Sequence, residues 1–333
     1  MIDAAPGARP RTILVIGGTG FLGGRLAAHL RGSGSRVRLG TRDLARVGAD
    51  DPDRIHVDYE DAATLERACA GADAVVHLAG PNAATCARNP AAGFAAHARG
   101  TRAVVRAAVA AGVPRLLRVS TMHVYGAPLR GRIDETTPPS PAHPYASAHL
   151  DAERELLAGC DGSATVGVVA RLSNAFGAPA HPAVDCWTLV VPDACRQAVT
   201  TGRIVLRSAG LQRRDFVTVG DACRAFEHLL GIAPAEAGIF HVGGRWTPTV
   251  REVAERVAAT VGRRVGVVPE LVAAEPRADE RTEPLDYRID RLAATGFVLR
   301  ADVDAELEAT VDACARWFGA TAAAARACGT PRV

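Results

Sequence analysis

The segment Gly17-Gly-Thr-Gly-Phe-Leu-Gly23 constrains this chain more than any other part of it. It follows a short apolar run, Thr12-Ile-Leu-Val-Ile16. It opens a stretch in which Phe21, Leu22, Leu26, Ala27 and Leu30 recur at helical spacing. Strand, glycine loop and helix in that order form the first unit of a doubly wound sheet. Gly20 lets the backbone approach a phosphate, and Gly23 lets the helix pack close to the strand. The helix N-terminus adds free amides and the positive end of a dipole. In this setting the pattern points to a dinucleotide held by Gly17, Thr19, Gly20, Phe21, Leu22 and Gly23. The alternative is a glycine turn that binds nothing.

The rhythm continues through the first half. Arg36 to Thr41 reads as a second strand, Ala62 to Cys69 as a helix and Ala74 to Leu78 as a third strand. Pro90 to Ala111 reads as one long helix, Leu116 to Ser120 as a fourth strand, Tyr145 to Ala158 as a helix and Ala164 to Ala170 as a fifth strand. Repeated βα units of this kind predict an α/β fold, a Rossmann-like doubly wound parallel sheet. After about Asn174 the pattern breaks at Pro179, Pro182 and Pro192. Phe216 to Leu230 then returns to the sheet as a strand edge and helix, and Thr249 to Val261 is a further helix. The expected organisation is a dinucleotide domain of residues 12–175 with 214–245 and a smaller C-terminal substrate lobe of 176–213 with 246–319. Tails of 1–11 and 320–333 complete it.

Composition removes several classes of function. A net charge of +3, with basic residues scattered, argues against a nucleic-acid surface. No apolar run reaches the ~18 residues that cross a bilayer. The polar start carries no apolar core like a signal peptide's. The eight cysteines form no Cys-x-x-Cys pair and no zinc-spaced cluster with histidine. Reduced thiols, no metal and a cytoplasmic location are the expectation. All 39 basic residues are arginine, and the chain has no lysine.

Dinucleotide-binding sheets commonly place a carboxylate at the end of the second strand, on the adenosine ribose. Here Leu39-Gly40-Thr41-Arg42 has none. Arg42 beside Thr41 suits a 2′-phosphate, which favours NADP(H) over NAD(H); a surface arginine is the alternative. Asp58 is a candidate for the adenine edge, or a solvated loop carboxylate. Val119-Ser-Thr-Met-His-Val-Tyr-Gly126 ends the fourth strand, and Tyr145-Ala-Ser-Ala-His149 opens a helix. A phenol is a poor base unless its pKa is lowered. Positions 145 and 149 share a helix face, and Thr121 reaches the same place from the strand.

On these motifs the chain resembles the NAD-dependent epimerase/dehydratase family of extended short-chain dehydrogenases/reductases, typified by nucleotide-sugar 4-epimerases. The resemblance spans about residues 12 to 318. Besides the glycine loop it rests on His77-Leu-Ala-Gly80, Gly100-Thr101, Ser120 to Gly126, Tyr145, Arg171 with Asn174, and Arg214-Asp-Phe-Val-x-Val-x-Asp221. It implies Tyr145 as acid/base with Thr121 as its partner. It implies Leu78, Ala79, Gly80, His97, Ser120, Tyr145 and His149 at the cofactor, and Asn174 and Arg214 on a nucleotide diphosphate. It also implies a small-molecule substrate, a nucleotide sugar, and a homodimer through the helices at 90–111 and 145–158. Trp187 is a candidate cover for a base or sugar ring, with core packing the other account.

Three departures from the family pattern matter. The family's lysine is His149 here, a weaker cation at neutral pH, which predicts a less acidified Tyr145 and a slow enzyme or an alkaline optimum. His97 stands where an asparagine is common. Met122 and His123 replace the Asp-Glu pair of sugar 4,6-dehydratases, and Met122 cannot move a proton; His123 is left as a further acid/base or a strand-end histidine. Three readings result: an epimerase or oxidoreductase on a nucleotide sugar or keto-sugar, an NADPH-dependent ketoreductase of a tailoring pathway, and a cofactor-binding protein with impaired catalysis.

Overall fold

The computed structural model of the chain describes residues 11–45, 51–277 and 282–328. Of the tail expected at 1–11, residues 1–10 lie outside the described residues, as do residues 329–333. The strands, in chain order, are β1 (Thr12–Ile16), β2 (Arg36–Thr41), β3 (Arg54–His56), β4 (Ala74–His77), β5 (Arg115–Thr121), β6 (Gly131–Ile133), β7 (Val166–Leu172), β8 (Asn174–Phe176), β9 (Arg203–Val205), β10 (Phe216–Thr218), β11 (Gly238–Val242), β12 (Glu270–Val272) and β13 (Leu285–Tyr287). The helices are α1 (Phe21–Gly32), α2 (Ala62–Cys69), α3 (Ala83–Arg88), α4 (Pro90–Phe94), α5 (Gly100–Ala110), α6 (Pro144–Cys160), α7 (Val190–Thr201), α8 (Val219–Leu229), α9 (Val250–Val265), α10 (Asp290–Ala294) and α11 (Val303–Cys328).

Seven strands form one parallel sheet in the order β11-β7-β5-β4-β1-β2-β3. All five residues of β1 are buried, which is why the strand reads as a continuous apolar run rather than an alternating one. Strand parity separates two cores. Leu117 and Val119 pack with α1 and α8 residues such as Leu26 and Phe226, while Leu116 packs with Val104 and Leu156 of α5 and α6. Arg118 and Ser120 share the parity of Leu116, so they face the α5–α6 side. A third core joins α7, α9 and α11 around Phe176, Val191, Val257 and Val311.

The structure departs from the sequence expectation in several places: the strand expected to return to the sheet at Phe216, β10, instead pairs with β8 in a separate two-stranded sheet. β3 and β11 add edge strands to the sheet; each is short or follows a turn, so it carries little periodic signal. The long helix is helical from Pro90 to Ala110 but contains a π-turn at Ala95–Arg99. Such a turn inserts one residue without disturbing the apolar spacing on either side. The last helix carries on to Cys328, through most of the stretch expected to be a tail, because alanine is the best helix former. Among the described residues no helix is long and apolar enough to cross a membrane.

Candidate active site

The glycine loop lies where β1 gives way to α1. Gly17 adopts a φ of 86° and its amide bonds to Gly40 O at 2.9 Å, which turns the chain across the end of β2. The β4 end closes over it, since a Cβ on Gly17 would sit 2.9 Å from Ala79 N. A Cβ on Gly23 would sit 2.1 Å from Gly17 O, so only glycine lets α1 approach the loop this closely. The α1 N-terminus has no side-chain cap and no acidic residue in its first turn. Its first amides and dipole therefore face outward uncompensated, which fits a pyrophosphate. Gly23→Ala introduces strain of about 1–3 kcal/mol. The expected result is a lower melting temperature and weaker dinucleotide binding, read by calorimetry.

At the adenosine end, Thr41 is buried and donates to Asp43 O at 3.2 Å. Arg42 is exposed, with no ion pair among the described residues. Asp58 follows Val57, whose amide bonds to Thr41 O, so Asp58 stands beside the β2 end; its carboxylate accepts from Glu60 N.

Tyr145 stands at the start of α6. Pro144 occupies the first turn and the His143 ring caps the helix by accepting from Tyr145 N at 3.1 Å. Tyr145 is half-buried, and its phenol is set against the Thr121 side chain at the end of β5. Burial pushes its pKa up to about 12, against the opposing pull of the Arg118 guanidinium and the Thr121 hydroxyl. The His149 ring lies 4.4 Å from the Tyr145 ring and 4.2 Å from the His97 ring, centroid to centroid. Burial holds His149 well below the usual imidazole pKa, with His97 and Arg118 adding to it. His149 is thus a neutral ring at neutral pH, a stronger departure from a lysine than the sequence alone implies. Its Nδ1 is buried with no hydrogen-bond partner among the described residues.

His97 sits in the π-turn. Its Nδ1 accepts from Arg118 Nη2 at 2.9 Å, because a guanidinium only donates, and its Nε2 donates to Pro81 O at 3.0 Å. The ring is therefore neutral, and burial beside Arg118 drives its pKa down to about 3. Gly80 packs on this ring so closely that a Cβ would meet it at 2.1 Å. Leu78 bonds to Ile16 O and holds the β4 end against β1.

Sequence reasoning missed the polar layer beneath these residues. Arg118 donates to His77 O at 3.0 Å and Ala79 O at 3.4 Å, and the whole residue is inaccessible to solvent. Its signal was one arginine inside the otherwise apolar run Leu116-Leu-Arg-Val119. Glu153, eight residues after Tyr145 on the same helix face, pairs with Arg171 at 2.7 Å, both buried. Ser120, expected at the cofactor, turns its hydroxyl to Glu153 instead, because it shares the parity of Arg118 rather than Thr121. Arg171 also donates to the Tyr125 hydroxyl at 2.6 Å, and Tyr125 donates to His241 Nε2. The pair ties α6 to β7 and so sets the height of Tyr145 over the sheet. Glu153→Ala leaves an uncompensated buried guanidinium. The expected loss is about 3–5 kcal/mol of stability by denaturant unfolding.

On the substrate side, Met122 is fully buried and takes the Asn174 amide on its sulfur at 3.4 Å. The same Asn174 nitrogen donates to Asp215 O at 2.9 Å, so this amide, implied at a phosphate, is engaged within the protein. His123 is held down to about 4 by burial and the neighbouring Arg214. Among the described residues the Arg214 guanidinium has no hydrogen bond or ion pair, and it faces His123. Trp187 is spent on packing. It meets Phe318 edge-on at 5.0 Å, and its indole N–H donates to Pro182 O at 2.9 Å.

The family model for the NAD dependent epimerase/dehydratase family matches residues 13–243. The chain is 30% identical over 289 residues to the dTDP-6-deoxy-L-talose 4-dehydrogenase (NAD(P)(+)) of Kitasatospora kifunensis, covering 83% of this chain and 85% of that protein. It is 31% identical over 159 residues to mouse dTDP-D-glucose 4,6-dehydratase, a match spanning 47% of this chain and 43% of that protein. The crystal structure of the Thermus thermophilus UDP-glucose 4-epimerase complex with NAD superposes with a TM-score of 0.76 at 25% identity, covering 91% of this chain and 98% of that one. The chain is therefore an enzyme of the extended short-chain dehydrogenases/reductases and belongs to the NAD dependent epimerase/dehydratase family.

Proposed function

We propose that this enzyme moves hydride between a bound nicotinamide dinucleotide and a carbinol or carbonyl carbon of a nucleotide sugar or keto-sugar, with Tyr145 as acid/base. The observation that carries the reading is the half-buried Tyr145 phenol, set against Thr121 and packed on the His97 and His149 rings. The residues fit the cofactor: the open α1 terminus suits its pyrophosphate, and the unpartnered Nδ1 of His149 suits a ribose hydroxyl. When bound, the nicotinamide accepts or returns hydride at carbon. Tyr145 takes the proton from the sugar hydroxyl, or gives it to the carbonyl oxygen, and Thr121 fixes the phenol and shares that oxygen. Arg214 is free to meet a diphosphate, and the fork of its guanidinium suits phosphate oxygens.

Met122 argues against 4,6-dehydration, since an apolar thioether occupies the place of a proton donor. One observation favours the ketoreductase version. β2 ends without a carboxylate, next to the exposed Arg42, which suits the 2′-phosphate of NADP(H). Mass spectrometry of the dinucleotide released on denaturation separates the two. Stoichiometric NAD that survives gel filtration supports a self-contained epimerase and removes the role given to Arg42. Free exchange of NADPH supports the reductase. A purified enzyme that binds neither dinucleotide overturns both. Light scattering is expected to show a homodimer formed through the helices at 90–110 and 144–160.

A further inference from the structure

A tyrosine that works as acid/base at moderate pH needs a positive charge beside it. This chain has no lysine to supply one. His149, in the helical position below Tyr145, is buried and neutral, and so is His97. We propose that Arg118 supplies the missing charge, reaching the Tyr145 phenol from strand β5 instead of from the tyrosine's own helix, with the His97 ring held between them. The proposal rests on the reading of Tyr145 as acid/base.

The geometry supports it at three points. Arg118 faces the α5–α6 side by strand parity and is fully buried, so its field is not screened by water. Among the described residues its hydrogen bonds go to two carbonyls and to His97, none to a carboxylate, and its Nε has no partner. The groups that couple to it are the Tyr59 and Tyr145 phenols and Glu153, and Glu153 is already committed to Arg171. A buried guanidinium without its own counter-ion is costly, and an ionised phenol nearby relieves that cost. Third, His97 touches both ends of the arrangement, Arg118 by a 2.9 Å hydrogen bond and the Tyr145 ring at 5.7 Å between centroids.

The groups that face Tyr145 are few. β5 contributes Arg118 and Thr121, helix α3 contributes Cys86, the π-turn His97, and its own helix His149. Arg118 is the cation among them, and it favours the phenolate; the Cys86 thiol opposes it only when ionised. Arg118 acts through Tyr145 and is a positioning residue in this sense. Its guanidinium stays charged across the working pH range.

The test needs neither substrate nor dinucleotide. A difluorotyrosine, whose phenol ionises well below tyrosine's, is placed at position 145 and its fluorine resonance followed against pH in wild type, Arg118→Gln and Arg118→Lys. Removing an opposite charge within about 4–6 Å raises an acid's midpoint by about 1–3 units, and a charge set one ring away falls at the lower end of that span. The expected result is a midpoint raised by about one unit or more in Arg118→Gln and held within about half a unit of wild type in Arg118→Lys, which keeps the charge without the fork. An unchanged midpoint in an Arg118→Gln protein that still melts cooperatively overturns the proposal. Should Arg118→Gln not fold, Arg118→Met takes its place on the same terms: a midpoint raised by about one unit or more supports the proposal, and an unchanged midpoint overturns it. A loss of packing alone lowers the melting temperature and leaves the phenol where it was. Because the readout is the phenol itself, it can fail while the proposed reaction stands, and it can hold in an enzyme whose substrate reading is wrong.

Discussion

Replacing Tyr145 by phenylalanine is expected to lower kcat by about 100- to 10,000-fold while dinucleotide binding stays within a few-fold of wild type. The substitution deletes one hydroxyl. The ring remains to pack against His149 and His97, at 4.4 and 5.7 Å between centroids, so the helix start and the cofactor side keep their shape. What disappears is the proton carrier next to Thr121. Neither neighbouring imidazole replaces it, because burial keeps both neutral and Arg118 holds the His97 Nδ1 lone pair. The assay is turnover of the nucleotide sugar or keto-sugar that wild type accepts, beside calorimetric titration with the dinucleotide. A rate within about tenfold of wild type would remove Tyr145 from the chemistry. In wild type the rate should climb with pH on the alkaline side, since burial raises the phenol to about 12 and protonated phenol cannot act as base. The climb should be absent from Tyr145→Phe.

Acid should collapse the fold over a narrow range. His77, His97, His149 and His241 are all buried and each is held below the usual imidazole value, His97 at about 3 and His241 at about 4. Burial is the largest cause for every one of them. A histidine whose folded pKa is depressed lends stability that is present above its unfolded value near 6.5, and that stability is lost as pH falls below it. The unfolded chain binds those protons first. Each such ring costs about 1.4 kcal/mol per pH unit, so the set approaches about 5 kcal/mol per unit at its steepest. A domain holds only about 5–15 kcal/mol in total. Urea unfolding between pH 7 and pH 5 is expected to show most of that stability lost, and a stability that does not change over this interval would show that these rings are solvated or paired in solution. Neither ring nitrogen of His77 has a partner among the described residues.

The first half of the fold was legible because βα units advertise themselves locally. The run Thr12–Ile16, the glycine loop and the spacing of Leu26 and Leu30 each follow from one element's own period. The α6 helix was read from Tyr145, one residue inside its first position, Pro144. The π-turn at Ala95–Arg99 was not readable, because an inserted residue leaves apolar spacing intact on both sides. The candidate site divides along the same line. Tyr145 stands against Thr121 and His149, and the glycine loop closes on the β4 end at Ala79. Ser120 is turned away, the Asn174 amide is used internally, and Trp187 packs against Phe318.

The sequence by itself determined the βα units of the first half, the glycine loop between β1 and α1, the absence of lysine, and the presence of Tyr145 one helical turn before a histidine. These are properties of single elements or of composition, and local periodicity and spacing carry them. Only the tertiary structure decided the charge state of that histidine, the bond from Arg118 to His97, and the clasp of Glu153 on Arg171. Those depend on which residues, far apart in the chain, are buried against each other. Burial sets the cost of each charge, and no local pattern records it.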